Sequence, residues 1–412
     1  MSINKSLLDK IYTYAKYPPT GVSIRQMVNF GVHPNVGTLF RASQFVVEEL
    51  PIRLAHRIKE LDHLPNGLSL NPSIVEVKHW YAKSFDELTS LPRPQIAGDL
   101  KKLLYPTSIN DHHRKYYVDL PDTIYCSSDI YEYNDLVTNT LTKIKKRHDP
   151  TVATIAKGVL EWKHLTKGPD VIDSSIQQFL DRFYMSRIGI RMLIGQHIAL
   201  NKEPLRDDYV GIICKHTNVG DLAQDAIENA RYICEQYFGL YEAPKVELYC
   251  ADNIEFMYVP SHLMHMLFEI LKNSLRATVE YHLMKQQQQQ QQLKGDAFDI
   301  YNLEFPPIKV IVANGNEDIT IKISDEGGGI PRSAMPLIWT YLYTTAKDIP
   351  DIDNIGENEF IAPMAGLGYG ISLSRLYARY FGGDLKLISM EGYGTDAYIH
   401  LNKLGGSTEP LP

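Results

Sequence analysis

Glu269, Lys272, Asn273 and Arg276 stand at i, i+3, i+4 and i+7, so a helix places a carboxylate, an amide and two cations on one face. Phosphoryl transfer uses these residue types: a proton acceptor, a hard oxygen ligand for Mg²⁺, and positive charge. Glu269 is the candidate base, Asn273 the candidate metal ligand, and Lys272 and Arg276 either add charge or form structural salt bridges. Leu263, Met266, Leu267, Ile270 and Leu271 make the adjoining apolar stripe of the stretch 260–281. Taken alone, this is also the pattern of an ordinary amphipathic surface helix.

Glycine adds weight downstream. The alternation of Ile319, Ile321 and Ile323 predicts a strand that runs into Asp325-Glu326-Gly327-Gly328-Gly329-Ile330, an acid at a strand end followed by residues that let backbone approach a ligand closely. Gly366-Leu367-Gly368-Tyr369-Gly370 opens an apolar helix at 371–381, whose unpaired N–H groups suit phosphate. Gly392-Tyr393-Gly394-Thr395 precedes a strand at 396–401. One such cluster is a routine turn, but the order of all of them is specific. A glycine-rich P-loop ending in Lys-Ser or Lys-Thr and the H-R-D and D-F-G motifs are missing, and a lid, not a strand, precedes the second cluster, which sets aside a dinucleotide fingerprint.

That order resembles the ATP site of the GHKL group of ATPases and kinases. At finer grain, YVPSHLMHMLFEILKNSLRATVE, SRLYARYFGGDLKLISMEGYGTDAYIHL and FLDRFYMSRIGIRMLIGQH resemble the mitochondrial pyruvate dehydrogenase kinases over most of the chain. The resemblance implies an α+β chain of two domains: a helical bundle at 1–203 that regulates and docks, and a GHKL α/β sandwich at 204–405 that binds ATP. Residues 406–412 are expected to be a short or truncated tail. It also implies ATP with Mg²⁺, with K⁺ as a further ion, a homodimer formed through the sheet face, and residence in the mitochondrial matrix. The substrate implied is a serine of the alpha subunit of the pyruvate dehydrogenase complex. The lipoyl domain of the acetyltransferase would be the docking partner.

Carried over residue by residue, the nucleotide site comprises Glu269, Ile270, Leu271, Lys272, Asn273, Ser274, Leu275 and Arg276 on the helix. It continues with Asp325, Gly327 and Gly329, then Thr344 and Thr345, then Gly366, Leu367, Gly368, Tyr369, Gly370 and Ile371, and ends with Thr395. Asp325 would accept from the adenine amino group. His148 matches a histidine that pairs with the asparagine-box glutamate, here Glu269, orienting it and tuning its basicity. Tyr81, Arg187 and Arg191, with Lys145 where the family usually has arginine, match the lining of a pocket for pyruvate-like carboxylates, which arginine binds with both arms of its fork. Val22, Met27 and Phe45 match an apolar pocket for the lipoyl domain.

The remaining chain sets bounds. Its 412 residues make two domains the expected number, and 44% hydrophobic content supports real cores. A net charge of −7 without a basic stripe argues against nucleic acid, and no apolar run is long enough to span a membrane. Cys126, Cys214, Cys234 and Cys250 show no metal-binding spacing, so a reduced compartment is expected. His112-His113 reads as a solvated loop, and no zinc is expected. The N-terminus reads poorly as a transit peptide.

Helical periodicity covers the first 95 residues, 131–165 and 174–200, and suggests a four-helix bundle. The Pro-broken stretch 92–129 interrupts it. Helix 219–238 and strands at 246–250, 308–314, 319–324, 385–390 and 396–401 predict a mixed sheet with helices on one face. The glutamine tract 286–292 reads as a disordered surface loop, and 331–365 as a lid over the nucleotide. Three rivals stay open: a GHKL histidine kinase phosphorylated on His148, though no receiver domain follows; a branched-chain 2-oxoacid dehydrogenase kinase; and an ATP-binding scaffold without transferase activity.

Overall fold

Helix boundaries in the first part of the chain are set by side-chain caps. Ser23 and Gln26 form a reciprocal capping box, as do Asn35 and Thr38, and Asn71 caps the helix whose first residue is Pro72. The computed structural model describes residues 3–92, 128–166, 173–204, 206–251, 253–293, 304–345, 366 and 368–411. The His112-His113 pair and Cys126 lie outside the described residues, as do most of the stretch 92–129 and the lid from residue 346 onward.

The chain divides into two compact units, one comprising Met1–Gly168, Asp173–Lys215 and Thr408–Pro412, the other Pro169–Ile172 and His216–Ser407. The first is helical: α1 (Lys5–Tyr14), α2 (Ile24–Gly31), α3 (Val36–Asp62), α4 (Pro72–Thr89), α5 (Ser128–Arg147), α6 (Thr151–Thr166) and α7 (Ser174–Lys202). The long α3 packs against α1, α4, α5 and α7, and α4 also packs against α6. Leu50, Leu54, Ile58 and Leu61 of α3 are essentially inaccessible. A short antiparallel pair, β1 (Tyr209–Val210) with β2 (Ile213–Asn218), follows, and the chain passes into the second unit within β2.

The second unit is an α/β sandwich. Its five-stranded sheet has the order β3 (Val246–Cys250), β5 (Ile308–Asn314), β6 (Asp318–Asp325), β8 (Gly394–Asn402), β7 (Asp384–Met390). The pair β3–β5 is parallel and the others antiparallel. Alternation fixes the inner face: Ile308, Val310, Val312, Ile319, Ile321 and Ile323 are buried, and Lys309 and Ile311 point out. That inner face carries α8 (Val219–Phe238), α9 (Pro260–Leu293) and α10 (Gly370–Tyr380), with α9 against α8, α10 and β6. β4 (Glu255–Tyr258) leads into α9. The apolar stripe expected of α9 is its buried face, with Leu263, Met266, Leu267, Leu271 and Leu275 at 0% exposure.

Two readings change. The glutamine tract is not a disordered loop, because α9 continues through it to Leu293. Glutamine is a good helix former, and extending an existing helix avoids the cost of nucleation; no glycine or proline stops it before Gly295. Gln287, Gln288 and Gln289 are exposed on this extension. The second change concerns residues 408–411, read as part of a tail. They return to the helical unit, where Thr408 bridges Ser23 and the buried Glu409 carboxylate takes both Arg53 Nη1 at 3.0 Å and the Val22 amide at 3.2 Å.

Candidate active site

In the second unit the helix face supplies the expected constellation. Glu269 Oε1 lies 3.0 Å from Lys272 Nζ, one turn on, with the lysine side chain only 4% exposed. Lys272 also sits over the Phe268 ring. It is therefore an orienting partner for the carboxylate. Arg276 turns elsewhere, donating to Thr345 Oγ1 at 3.1 Å and pairing with Glu280, so it ties the segment after Trp339 to α9. Asn273 is half-buried between them on the same face. Ile270, Leu271, Ser274 and Leu275 are buried beneath this face.

The glycine clusters come together around that helix. A Cβ on Gly327 would run into the backbone of Ala277 and Thr278, and one on Gly370 would strike the Glu269 carboxylate. The N-terminus of α10 is thereby held beside Glu269. Gly368 needs its positive φ and its missing side chain, since it packs on the Tyr343 backbone. Gly329 lies against the Met390 carbonyl, and among the described residues no atom comes within 4 Å of a Cβ at Gly366. Tyr369 is buried, Ile371, Thr344 and Thr395 are half-buried, and Thr345 is exposed. Leu367 lies outside the described residues.

Asp325 ends β6 with 6% exposure. Its Oδ1 accepts from Gly327 N at 3.0 Å and Thr395 N at 3.2 Å. Burial raises its pKa, against the pull of those amides and of the Ser274 hydroxyl. A buried acceptor at the edge of glycine-lined space suits the amino group of a purine. The missing side chains leave room for a nucleotide, the α10 N–H groups suit its phosphates, and the Asn273 amide is the kind of single hard ligand that Mg²⁺ takes alongside phosphate and water. The residues present fit the metal nucleotide.

In the helical unit, His148 is 2% exposed and stacks on Tyr81 at 4.4 Å and 6°. Its Nε2 is 3.0 Å from Ser84 Oγ, and the ring also bonds the Trp80 backbone. Arg147 braces the group, donating to Ser84 and forking onto Glu87 at 2.7 and 2.9 Å. Burial, with Arg147, Arg187 and Arg191 adding to it, pushes the His148 pKa down to about 3, so the imidazole is neutral. The fully buried Tyr81 hydroxyl is pushed up to about 12 by the same burial, with Arg187, Arg57 and Arg191 opposing.

Arg187 and Arg191 thus lie near Tyr81, and Arg191 holds a carboxylate of this chain, Asp149 at 2.6 Å. Arg187 reaches the Asp149 carbonyl at 3.4 Å. Lys145, grouped with them from sequence, is exposed. It directly follows the buried Ile144, and one residue of helical rotation, about 100°, turns it to the outward side of α5. Val22, Met27 and the half-buried Phe45 do come together, lining an apolar cavity with Phe30, Val46 and Leu193. Among the described cysteines, Cys214 and Cys234 are buried and Cys250 half-buried, and no disulfide joins them. No described helix is long and apolar enough to cross a membrane.

A helix bearing carboxylate and amide, an acid at a strand end and glycine turns on an α/β sandwich define a nucleotide-binding domain of the GHKL ATPase class. Residues 258–404 match the family described as histidine kinase-, DNA gyrase B- and HSP90-like ATPase, and residues 21–214 the family described as mitochondrial branched-chain alpha-ketoacid dehydrogenase kinase. Whole-chain similarity is high. A mitochondrial pyruvate dehydrogenase (acetyl-transferring) kinase of Schizosaccharomyces pombe is 46% identical over 99% of each chain, and one of Arabidopsis thaliana is 41% identical over 99% of this chain and 97% of the relative. Isozyme 1 of Homo sapiens is 37% identical, covering 97% of this chain and 81% of the relative. The chain belongs to the mitochondrial pyruvate dehydrogenase kinase family.

Proposed function

We propose that this chain is an ATP-dependent serine kinase that phosphorylates and inactivates the alpha subunit of the pyruvate dehydrogenase complex in the mitochondrial matrix. The carrying observation is the Glu269–Lys272 pair beside the α10 N-terminus, in a chain similar end to end to enzymes bearing that name. Lys272 holds the Glu269 carboxylate, which takes the proton as the serine oxygen bonds the γ-phosphorus and the bond to the ADP oxygen breaks. Asp325 accepts from the adenine amino group, and α10 N–H groups take phosphate oxygens. Mg²⁺, held by Asn273, supplies charge neutralisation across the phosphates when bound.

A phosphoaccepting histidine needs an exposed nucleophilic nitrogen, whereas the His148 ring is buried and engaged by Ser84 and Trp80, which favours serine over histidine as the acceptor. The Val22–Met27–Phe45 cavity docks the lipoyl domain, the Tyr81–Arg187–Arg191 group receives a pyruvate-like carboxylate in competition with Asp149, and the exposed sheet face bearing Ile311, Ile388 and Met390 forms a homodimer. K⁺ is an accessory ion, tested by replacing it with Na⁺ in binding assays.

The match of residues 21–214 to a branched-chain kinase family keeps that substrate as the second reading. Labelled ATP incubated with the protein and either dehydrogenase complex decides both questions. The expected product is acid-stable phosphoserine on the pyruvate dehydrogenase alpha subunit. Acid-labile label on this chain, lost in His148→Ala, overturns the serine reading. Preferential labelling of the branched-chain complex overturns the substrate.

A further inference from the structure

Ser389 lies at the end of β7, on the inner face with Leu385 and Leu387, and was not among the residues expected to serve the nucleotide. In the sheet register Asp325 pairs with Thr395, and Thr395 with Ser389, so the three stand in a row across β6, β8 and β7. Three bonds meet at the Ser389 hydroxyl. It accepts from Ile330 N at 2.7 Å, meets Thr395 Oγ1 at 2.9 Å, and lies 3.2 Å from the Gly394 carbonyl. The loop after Asp325 and the turn before Thr395 are further joined by Gly328 N to the Tyr393 carbonyl at 3.1 Å and Gly392 N to the Gly328 carbonyl at 2.8 Å. Ser389 thus bonds both segments and the β8 residue whose amide holds Asp325.

We infer that Ser389 is a positioning residue of the nucleotide site, setting the aim of the Asp325 carboxylate through Thr395 and so the preference for adenine over guanine. The inference rests on the ATP reading above. A carboxylate acceptor pairs with the amino group of adenine and repels the carbonyl oxygen that guanine carries at that position. Its discrimination depends on where the oxygen points, and that is set by the Thr395 amide, whose strand end is anchored by the Ser389 hydroxyl. Removing the hydroxyl leaves the Ile330 amide without its side-chain acceptor and frees the Thr395 hydroxyl.

The test is calorimetric binding of Mg-ATP and Mg-GTP to the full chain and to Ser389→Ala and Ser389→Thr. Wild type prefers ATP. Ser389→Ala is expected to lose roughly tenfold in ATP affinity with little change for GTP, narrowing the ratio, and Ser389→Thr, which keeps the hydroxyl, to restore it. Equal losses for both nucleotides, or an unchanged ratio, overturn the inference. Ser389→Cys, close in volume with weak hydrogen bonding, gives the same readout should the alanine variant be insoluble. A wild-type chain that binds neither nucleotide refutes the ATP reading itself, a result distinct from an unchanged ratio.

Discussion

At the scale of single residues, the proposed mechanism assigns binding to Asn273 and chemistry to Glu269. Asn273→Ala removes the amide proposed to hold Mg²⁺, so Mg-ATP affinity is expected to fall by roughly a hundredfold or more, read by calorimetry; tight binding by the variant removes Asn273 from the metal site. Glu269→Gln keeps the shape and the contact with Lys272 but not the proton acceptor. Nucleotide stays bound while kcat falls by about 10²–10⁴, and unchanged turnover rules Glu269 out as the base. Gly370→Ala tests the same carboxylate from the other side, because its Cβ would strike Glu269. It is expected to cut kcat by about 10² through misplacement alone.

Among the elements, α9 joins two parts with different energetics. From Pro260 to about Tyr281 its apolar stripe is buried against α8, α10 and the sheet. Beyond Lys285 the helix runs into glutamine, exposed at Gln287, Gln288 and Gln289, held by backbone bonds that cost little to extend. Deleting residues 286–292 is expected to shift the melting temperature by under about 2 °C and leave turnover unaltered, while lowering the helical circular dichroism signal. A shift of several degrees would mean that the tract packs against the fold.

For the molecule as a whole, buried histidines dictate how acid acts on it. The pKa of His148 is pushed down to about 3 and that of His197 to about 4, in both cases first by burial. Below pH 6.5 the unfolded chain takes up protons that the folded one does not, so stability is intact above pH 6.5 and is lost as pH falls toward those values. Each histidine is expected to remove up to ~2 kcal/mol by pH 5. His148→Gln should flatten the melting-temperature profile between pH 6.5 and 5; an unchanged slope refutes the neutral buried imidazole.

How much of this was legible in the sequence depends on the range of the contacts involved. The face Glu269–Lys272–Asn273, the inward row Ile319–Ile321–Ile323–Asp325 and the glycine turns were readable because helix and strand periods relate residues a few positions apart, and glycine marks backbone that a side chain would obstruct. The reading missed Ser389, although its inward position at a strand end beside Leu385 and Leu387 was a usable signal. The partner of a charge was not readable. Arg191 holds Asp149, Arg276 holds Thr345, and Arg53 holds Glu409 from 356 residues away. Local sequence determined the nucleotide-site helix and the strand ends around it; packing between distant segments decided which charges were paired and which side chains were exposed, because each polar group that loses water must find its partner among whatever tertiary structure brings near.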